Sequence, residues 1–387
     1  MKVNIILISD LYPAYAGHSI KDVSYALHYF VRQWIKTENV LVIKPYVFTG
    51  KNWHNLKLKS KEFMLDGVRI IHCPVIKIPK LKIFCLSSLY KIIDKEINPD
   101  VVVAHLGFNL IFGYKVAKHY QLPLISAVHN GDFRFGFNML SEKILRGIFN
   151  HSIGIACRSN PLYERFVKWL PNLKERCFIA YSGIDRNIIL TKNFAIKKAE
   201  KWINSKKIKF ISVCHLIESK NIDINLNALS NLNGQLDWIY KIVGDGKERR
   251  KLQKLTEHLG ISEKVQFTGL LSKEDVLKEL RNSHVFIMVS SPETFGLAYL
   301  EAMATGNIVI GAKGEGIDGV VENGKNGFLC TPRDKKELAQ TLEHIITGSS
   351  KKELEDIVTH SRETILNYTE EKAAKNYLGN IIKFCKK

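Results

Sequence analysis

The sequence is poor in the features that mark stapled, secreted or membrane-spanning chains. Only seven cysteines occur in 387 residues. Cys73, Cys85, Cys157, Cys177, Cys214, Cys330 and Cys385 form no C-x-x-C pair, and an odd, scattered set is unlike a disulfide framework or a zinc site. A reducing, cytoplasmic location is therefore expected. Long apolar runs are missing too: the longest uncharged stretch, Val101 to Tyr114, is broken by His105 and Asn109 and falls short of the ~20 residues a bilayer span requires. Between Lys2 and Asp10 there is room only for Val3 to Ser9, too little for a signal-peptide core, and no small-residue cleavage site follows. Proline is sparse, at ten residues, and no low-complexity tract or short repeat is visible, which excludes a disordered or solenoid chain.

Negative charge is also in short supply. Against 57 Lys and Arg there are 38 Asp and Glu, a net charge of +19. Residues 1–190 hold 26 basic and 13 acidic residues, net +13, which leaves 57 − 26 = 31 against 38 − 13 = 25, net +6, for the rest. The excess is concentrated between Lys51 and Lys91, where nine basic residues face only Glu62 and Asp66 and are interleaved with Trp53, Ile76, Ile78, Leu81, Ile83 and Phe84. Basic and apolar residues in one place suit contact with anionic lipid at the inner face of a membrane. A solvated lysine-rich face is the plainer alternative. No helix-turn-helix, zinc or RNP-type signature accompanies the charge, so nucleic acid is not the expected partner.

What is present is a repeated alternation of β-rich runs and helical periodicity. Strands are expected near residues 3–9, 40–47, 68–72, 101–105, 122–128 and 152–156, and a second series near 209–214, 238–243, 265–268, 285–289, 308–310 and 327–329. Helices are expected between them, and such alternation implies parallel sheets covered on both faces. The fold class is α/β, with two Rossmann-like doubly wound domains facing a central cleft: residues 1–190, residues 191–366, and a last helix over 367–387 placed so that it can cross back to the first domain. The charged, strandless stretch 186–204 is the expected linker. Ligands of open α/β sheets bind at the carboxyl ends of the strands, so the cleft is the expected site.

The chemistry concentrates in His284-Val-Phe-Ile-Met-Val-Ser-Ser-Pro-Glu-Thr-Phe-Gly-Leu-Ala-Tyr-Leu-Glu-Ala-Met-Ala-Thr-Gly306. A buried strand runs through a Ser-Ser-Pro turn into a helix that opens around Gly296. The N–H groups of Phe295, Gly296 and Leu297 at that helix start suit phosphate or sugar oxygens. Glu293 precedes them and Glu301 lies one turn in, ~12 Å away if helical rise is the guide. That spacing is too wide for the carboxylate pair of a hydrolase, at ~5–9.5 Å, and suits two ends of one long ligand. Read alone, Glu293 could instead be a dipole partner of its helix and Glu301 a surface glutamate.

Glu293-x7-Glu301 resembles the E-x7-E segment of the retaining GT-B glycosyltransferases of family 4. Val213-Cys-His-Leu-Ile-Glu-Ser-Lys220 is similar to that family's G-R-x4-K phosphate loop, Ile242-Val-Gly244-Asp-Gly246 to its V-G-x-G turn, and Val265-Gln-Phe-Thr-Gly269 to its V-x-F-x-G. Gly314 to Phe328 resembles its G-G-x-x-E-x-V-x-x-G-x-x-G-x-L stretch, Ala127-Val-His129 its cleft histidine, and Ser182-Gly-Ile-Asp185 its N-G-V-D turn. The resemblance implies a nucleotide-diphosphate sugar, a UDP- or GDP-sugar, as donor substrate and no separate cofactor. Glu301 would hold ribose hydroxyls, Glu293 the sugar hydroxyls, and Lys220 the diphosphate, with His129, Glu293 and Lys220 the catalytic set. Gly17, His215, Gly244, Gly269, Phe295, Gly296 and Leu297 would complete the donor site. The acceptor would be a glycolipid or saccharide hydroxyl, as in surface polysaccharide assembly.

The departures from the pattern are specific. His215 stands where the family has Arg, Asn221 where it has Gly, and the N-terminal glycine-rich loop is reduced to Ala14-Tyr-Ala-Gly-His-Ser19, keeping Gly17 alone. His215 can be a phosphate donor or a neutral strand-end residue. His129 and His105 both end strands, and a satisfied core histidine is the plainer reading of each. No D-x-D lies in a cleft-side loop, so no metal site is expected and fixed cations would carry the diphosphate charge. A GT-B sugar-nucleotide epimerase and a basic nucleic-acid-binding protein are the competing functions.

Overall fold

The structure, a computed structural model, describes residues 2–14, 24–48, 60–78, 83–133, 141–203, 205, 207–232 and 236–386. The chain divides into two compact units. The first comprises Met1–Arg158, Leu162–Ser182 and Glu370–Lys387; the second comprises Ser159–Pro161 and Gly183–Thr369.

The first unit is built on a sheet of β1 (Asn4–Ile8), β2 (Asn39–Phe48), β3 (Lys61–Leu65), β4 (Val68–Ile78), β5 (Ile83–Cys85), β6 (Val101–His105), β7 (Leu124–Val128), β8 (Gly154–Cys157) and β9 (Cys177–Ile179). Its order is β3-β4-β2-β1-β6-β7-β8-β9, with β5 paired to β4. All pairings are parallel except those of β3 and β5 with β4. The central strands are apolar throughout because both faces are covered: Ile6 and Ile8 enter one core, Ile5 and Leu7 the other. The chain order reverses between β1 and β6, which places a topological switch point at their carboxyl ends.

The antiparallel strand β3 is a feature that strand-helix periodicity does not reveal. Its signal is the Asp66-Gly67 pair between Leu65 and Val68, both residues at positive φ (47° and 77°), the two-residue turn that matches the twist of a hairpin. The helix Glu370–Cys385 closes the second face of this sheet. Ala373, Ala374, Tyr377 and Ile381 lie on its buried stripe against Phe30 and Trp34, and Trp34 Nε1 donates to the Ala374 carbonyl at 3.0 Å.

The second unit holds β10 (Lys207–Val213), β11 (Asp237–Val243), β12 (Val265–Gly269), β13 (Val285–Ile287), β14 (Ile308–Ala312) and β15 (Phe328–Cys330), all parallel, in the order β12-β11-β10-β13-β14-β15. This is the doubly wound order with its switch point between β10 and β13. Asn225, Ser212 and Tyr240 form a buried polar network inside it, anchored on the Ile287 carbonyl.

The stretch 186–204 is not a linker. It contains the helix Lys192–Ile203, whose Ala195, Ala199 and Trp202 are buried in the core of the second unit, with Trp202 stacked on His284 at 5.8 Å between centroids. Four lysines and a glutamate on this helix conceal a stripe of only three apolar positions at i, i+4 and i+7, which is enough to seat it. The chain passes instead at Ser182–Gly183 and again at Thr369–Glu370. Much of the basic segment from Lys51 to Lys91 lies outside the described residues, Lys80 and Lys82 included. Within its described part, Arg69 is paired with Glu62 and, at 2.7 Å, with Glu96. No helix among the described residues is long and apolar enough to cross a membrane.

Trp202→Ala should destabilise the second unit by about 3–5 kcal/mol, the cost of emptying an aromatic core site. Chemical denaturation monitored by circular dichroism reads this, and an unchanged midpoint would restore the linker assignment.

Candidate functional site

In the second unit, the residues singled out by sequence converge at the switch point. After β10 the chain exposes His215, turns Leu216 inward, and makes a short helical turn over Glu218–Lys220. Asn221 follows in the left-handed conformation at φ 50°, which explains how it replaces a glycine: asparagine tolerates that region better than other side chains. It also contributes what glycine could not, an amide that donates to the Val289 carbonyl at 2.7 Å and ties this loop to the segment leaving β13. The Ser291 N–H donates to the Ser219 carbonyl at 2.8 Å across the same gap.

These ties hold Lys220 against Glu293. The ammonium donates to Glu293 Oε2 at 2.5 Å, Ser290 Oγ donates to the same oxygen at 3.1 Å, and the Thr294 N–H donates to Oε1 at 3.1 Å. Burial alone would raise the carboxyl, but the Lys220 charge and these hydrogen bonds outweigh it and hold Glu293 below the usual range. Lys220 is likewise desolvated, and Glu293 more than restores its proton. Both groups are therefore ionised at neutral pH. Glu293 is not free to act as an acid.

A residue the linear reading missed, Glu315, braces this turn. Its Oε1 accepts from Ser291 Oγ at 2.6 Å and its Oε2 from the Glu293 N–H at 2.7 Å, while the Gly316 N–H donates to the Glu293 carbonyl at 3.1 Å. Nothing local marks Glu315 beyond an acidic residue between two glycines; its partners are more than twenty residues away. Gly296 then opens the helix Leu297–Ala304 at φ 84°, where a Cβ would lie 2.5 Å from the Tyr299 ring. The N–H groups of Leu297 and Ala298 open this helix without an intrahelical acceptor, whereas the Tyr299 N–H donates to the Gly296 carbonyl at 3.1 Å. Phe295 is buried beside them.

Glu301 is only 7% exposed, which removes the surface-glutamate alternative, and its Oε1 accepts from Lys273, a cation at the start of the helix Lys273–Asn282 that sequence reasoning did not select. Gly244 and Gly269 serve as backbone: the Gly244 N–H donates to the Gly269 carbonyl at 2.8 Å, and Gly244, at φ 129°, leaves no room for a Cβ beside the Cys214 carbonyl. Gly17 lies outside the described residues.

His129 belongs to the first unit, where it follows β7. Asp132 clamps the turn, accepting from the His129 N–H at 2.8 Å and the Gly107 N–H at 2.9 Å. Burial pushes Asp132 up to about 6 against those two bonds. His129 Nε2 lies 3.2 Å from Nδ1 of His105, which ends β6. Burial, followed by the charge of Arg158, pushes His129 down to about 3. His105 is driven well below its ordinary value by burial, then by His129 and Arg158. Both imidazoles are neutral across the physiological range.

Residues 193–364 match the family described as glycosyl transferases group 1, and residues 43–187 match Glycosyltransferase Family 4. The chain carries both domains of a GT-B glycosyltransferase. It is similar to N-acetyl-alpha-D-glucosaminyl L-malate synthase of Bacillus anthracis, 24% identical over 270 residues, covering 68% of this chain and 70% of that protein. The lipopolysaccharide core biosynthesis glycosyltransferase LpsE of Rhizobium meliloti is 29% identical over 187 residues, 46% of this chain and 53% of its own length. Among solved structures, Anabaena HepE in complex with UDP-glucose superposes with a TM-score of 0.72 at 19% identity, covering 98% of this chain and 99% of its own. In this glycosyltransferase Glu293 and Glu301 sit on one strand-turn-helix unit, each against a lysine.

The lowered value of His129 has a measurable consequence. Between about 6.5 and about 3 the folded chain binds fewer protons at this site than the unfolded chain, so its contribution is complete above pH 6.5 and is lost as pH falls. The stability difference between the wild-type chain and His129→Gln should therefore shrink steadily from pH 7 to pH 4 in urea titrations. A difference that stays constant would contradict the neutral assignment.

Proposed function

We propose that this glycosyltransferase moves a hexose from a nucleotide-diphosphate sugar, a UDP- or GDP-sugar, to a hydroxyl of a glycolipid or saccharide acceptor with retention of anomeric configuration. The observation that carries the reading is the Lys220–Glu293 pair beside the helix start at Gly296, at the carboxyl ends of β10 and β13. Leaving-group departure is the chemical problem, because a diphosphate must carry growing negative charge as the bond to the anomeric carbon breaks. The two further N–H bonds of the Lys220 ammonium and the first amides of the helix Leu297–Ala304 are the groups assigned to that charge, with His215 as an added donor. Glu293, held ionised, takes the sugar hydroxyls; Glu301 takes the ribose hydroxyls, with Lys273 orienting its carboxylate.

Glu293 is committed to a cation, to Ser290 and to the Thr294 amide, which argues against an enzymic nucleophile at the anomeric carbon. Attack by the acceptor hydroxyl from the face the leaving group vacates then gives retention: the acceptor C–O bond forms as the donor C–O bond breaks, and the acceptor proton passes to the departing phosphate oxygen. The likeness to HepE with UDP-glucose supports the donor class, and that to a lipopolysaccharide core enzyme supports a surface-glycan acceptor. The basic first unit is assigned to the acceptor, with salt-sensitive contact at an anionic membrane face as its corollary.

Two measurements separate the roles. Glu301→Ala should weaken nucleotide binding by about 1.5–3 kcal/mol, the value of hydrogen bonds to a charged acceptor. Glu293→Gln should lower turnover while leaving calorimetric affinity for the free nucleotide diphosphate intact; equal loss of both would contradict the division.

Transfer is also expected to survive excess EDTA, since fixed cations are assigned the diphosphate charge. Complete loss on chelation, restored by Mg²⁺ or Mn²⁺, would refute that assignment.

A further inference from the structure

Three side chains of the first unit form a hydrogen-bonded row that the proposed function does not use. Tyr377, on the helix Glu370–Cys385, has its hydroxyl 3.0 Å from Nε2 of His105, and Nδ1 of His105 is 3.2 Å from Nε2 of His129. Tyr377 and His105 are buried, whereas His129 is partly exposed. Among the described residues the phenol has no other hydrogen-bonding partner, and neither has the His129 ring.

Proton counting leaves two arrangements, because each neutral imidazole carries one N–H. In the first, the Tyr377 hydroxyl donates to His105 Nε2, His105 donates from Nδ1 to His129 Nε2, and His129 keeps its proton on Nδ1. In the second every bond is reversed: His129 donates from Nε2, His105 donates from Nε2 to the phenol oxygen, and the phenolic proton is left over. That leftover proton would sit on a fully buried oxygen with nothing to accept it, a desolvated donor of the kind interiors avoid. The first arrangement moves the unpaired donor to the partly exposed end of the row.

We propose that Tyr377 and His105 are positioning residues that hold His129 as its Nδ1–H tautomer, so that this ring presents a hydrogen-bond donor to an oxygen of a ligand at the carboxyl end of β7. Several features keep the row in place. Asp132 fixes the His129 backbone to that of Gly107, next to the end of β6. Arg158, buried, bonded to Ser182 at 2.6 Å and lying over the Phe30 ring, disfavours a second proton on either imidazole. Tyr377 is held by edge-on contacts with Phe30 and Trp34, at 5.4 and 5.1 Å between centroids, and these do not involve its hydroxyl. The identity of the receiving oxygen rests on the glycosyltransferase reading; the tautomer does not.

The test uses the full-length chain with ¹⁵N-labelled histidine and two-bond proton–nitrogen correlations at pH 7.5, with the His129 signals assigned by their loss in His129→Gln. A pyrrole-like Nδ1 and a pyridine-like Nε2 on His129 are expected in the wild-type chain; the opposite pattern overturns the proposal without any variant. Tyr377→Phe keeps the ring packing and removes the proton that breaks the tie, so His129 should become a mixture of both tautomers. With a sugar nucleotide as donor, kcat/KM of this variant should fall in proportion to the Nδ1–H fraction that His129 retains, about twofold for an even mixture. A His129 ring unchanged by Tyr377→Phe overturns the positioning role, and a mixed tautomer with unaltered kcat/KM overturns its bearing on transfer. Should the wild-type chain transfer no sugar from any nucleotide donor, the function fails while the tautomer measurement still stands or falls by itself.

Discussion

The second unit depends on one ion pair spanning its switch point. Lys220 leaves the loop after β10, Glu293 leaves the turn after β13, and between them they join the two strands at which the order of the sheet reverses. Neither charge could be held there alone. A mostly buried carboxylate without its cation would take up a proton, and a lysine without its carboxylate would lose one. The surrounding bonds make the pair a fixed structure: Asn221 to Val289, Ser291 to Ser219, and Glu315 to both Ser291 and the Glu293 amide. The geometry offered to a ligand is therefore set before any ligand arrives, which is the condition for electrostatic preorganisation.

The first unit solves a related problem without paired charges. The residues at the carboxyl ends of its β6 and β7 are histidines, kept neutral by burial and by a buried guanidinium, and oriented through a tyrosine from the last helix. That helix is separated from the rest of its unit by the whole of the second unit in sequence, yet it supplies Tyr377, Ala374 and Ile381 to the core. The Arg32–Glu370 pair fastens its first turn to the helix Tyr25–Trp34. The crossings at Ser182–Gly183 and Thr369–Glu370 thus have different characters: the first ends a strand-helix series, whereas the second brings the last helix back to the core of the first unit.

Much of the site was legible because its residues are local to one another. Glu293, Gly296 and Glu301 share one strand-turn-helix unit, so their spacing in sequence is their spacing on the helix, and Lys220 follows a strand in a recognisable loop. Glu315, Lys273, Arg158 and Tyr377 were not legible, since each reaches its partner from a separate element. The helix Lys192–Ile203 was misread for a simpler reason. Its apolar stripe is three residues wide and surrounded by lysines, and only burial against His284 and the sheet reveals that it is part of the core.

By itself the sequence determined the alternation of strands and helices, the two doubly wound sheets and the strand ends at which chemistry would sit. These follow from periodicity and from glycine and turn positions, which act over a few residues. Tertiary structure alone decided which charges are paired and which histidines are neutral. Those properties depend on desolvation and on neighbours brought within about 3 Å from distant parts of the chain, and no local pattern encodes either.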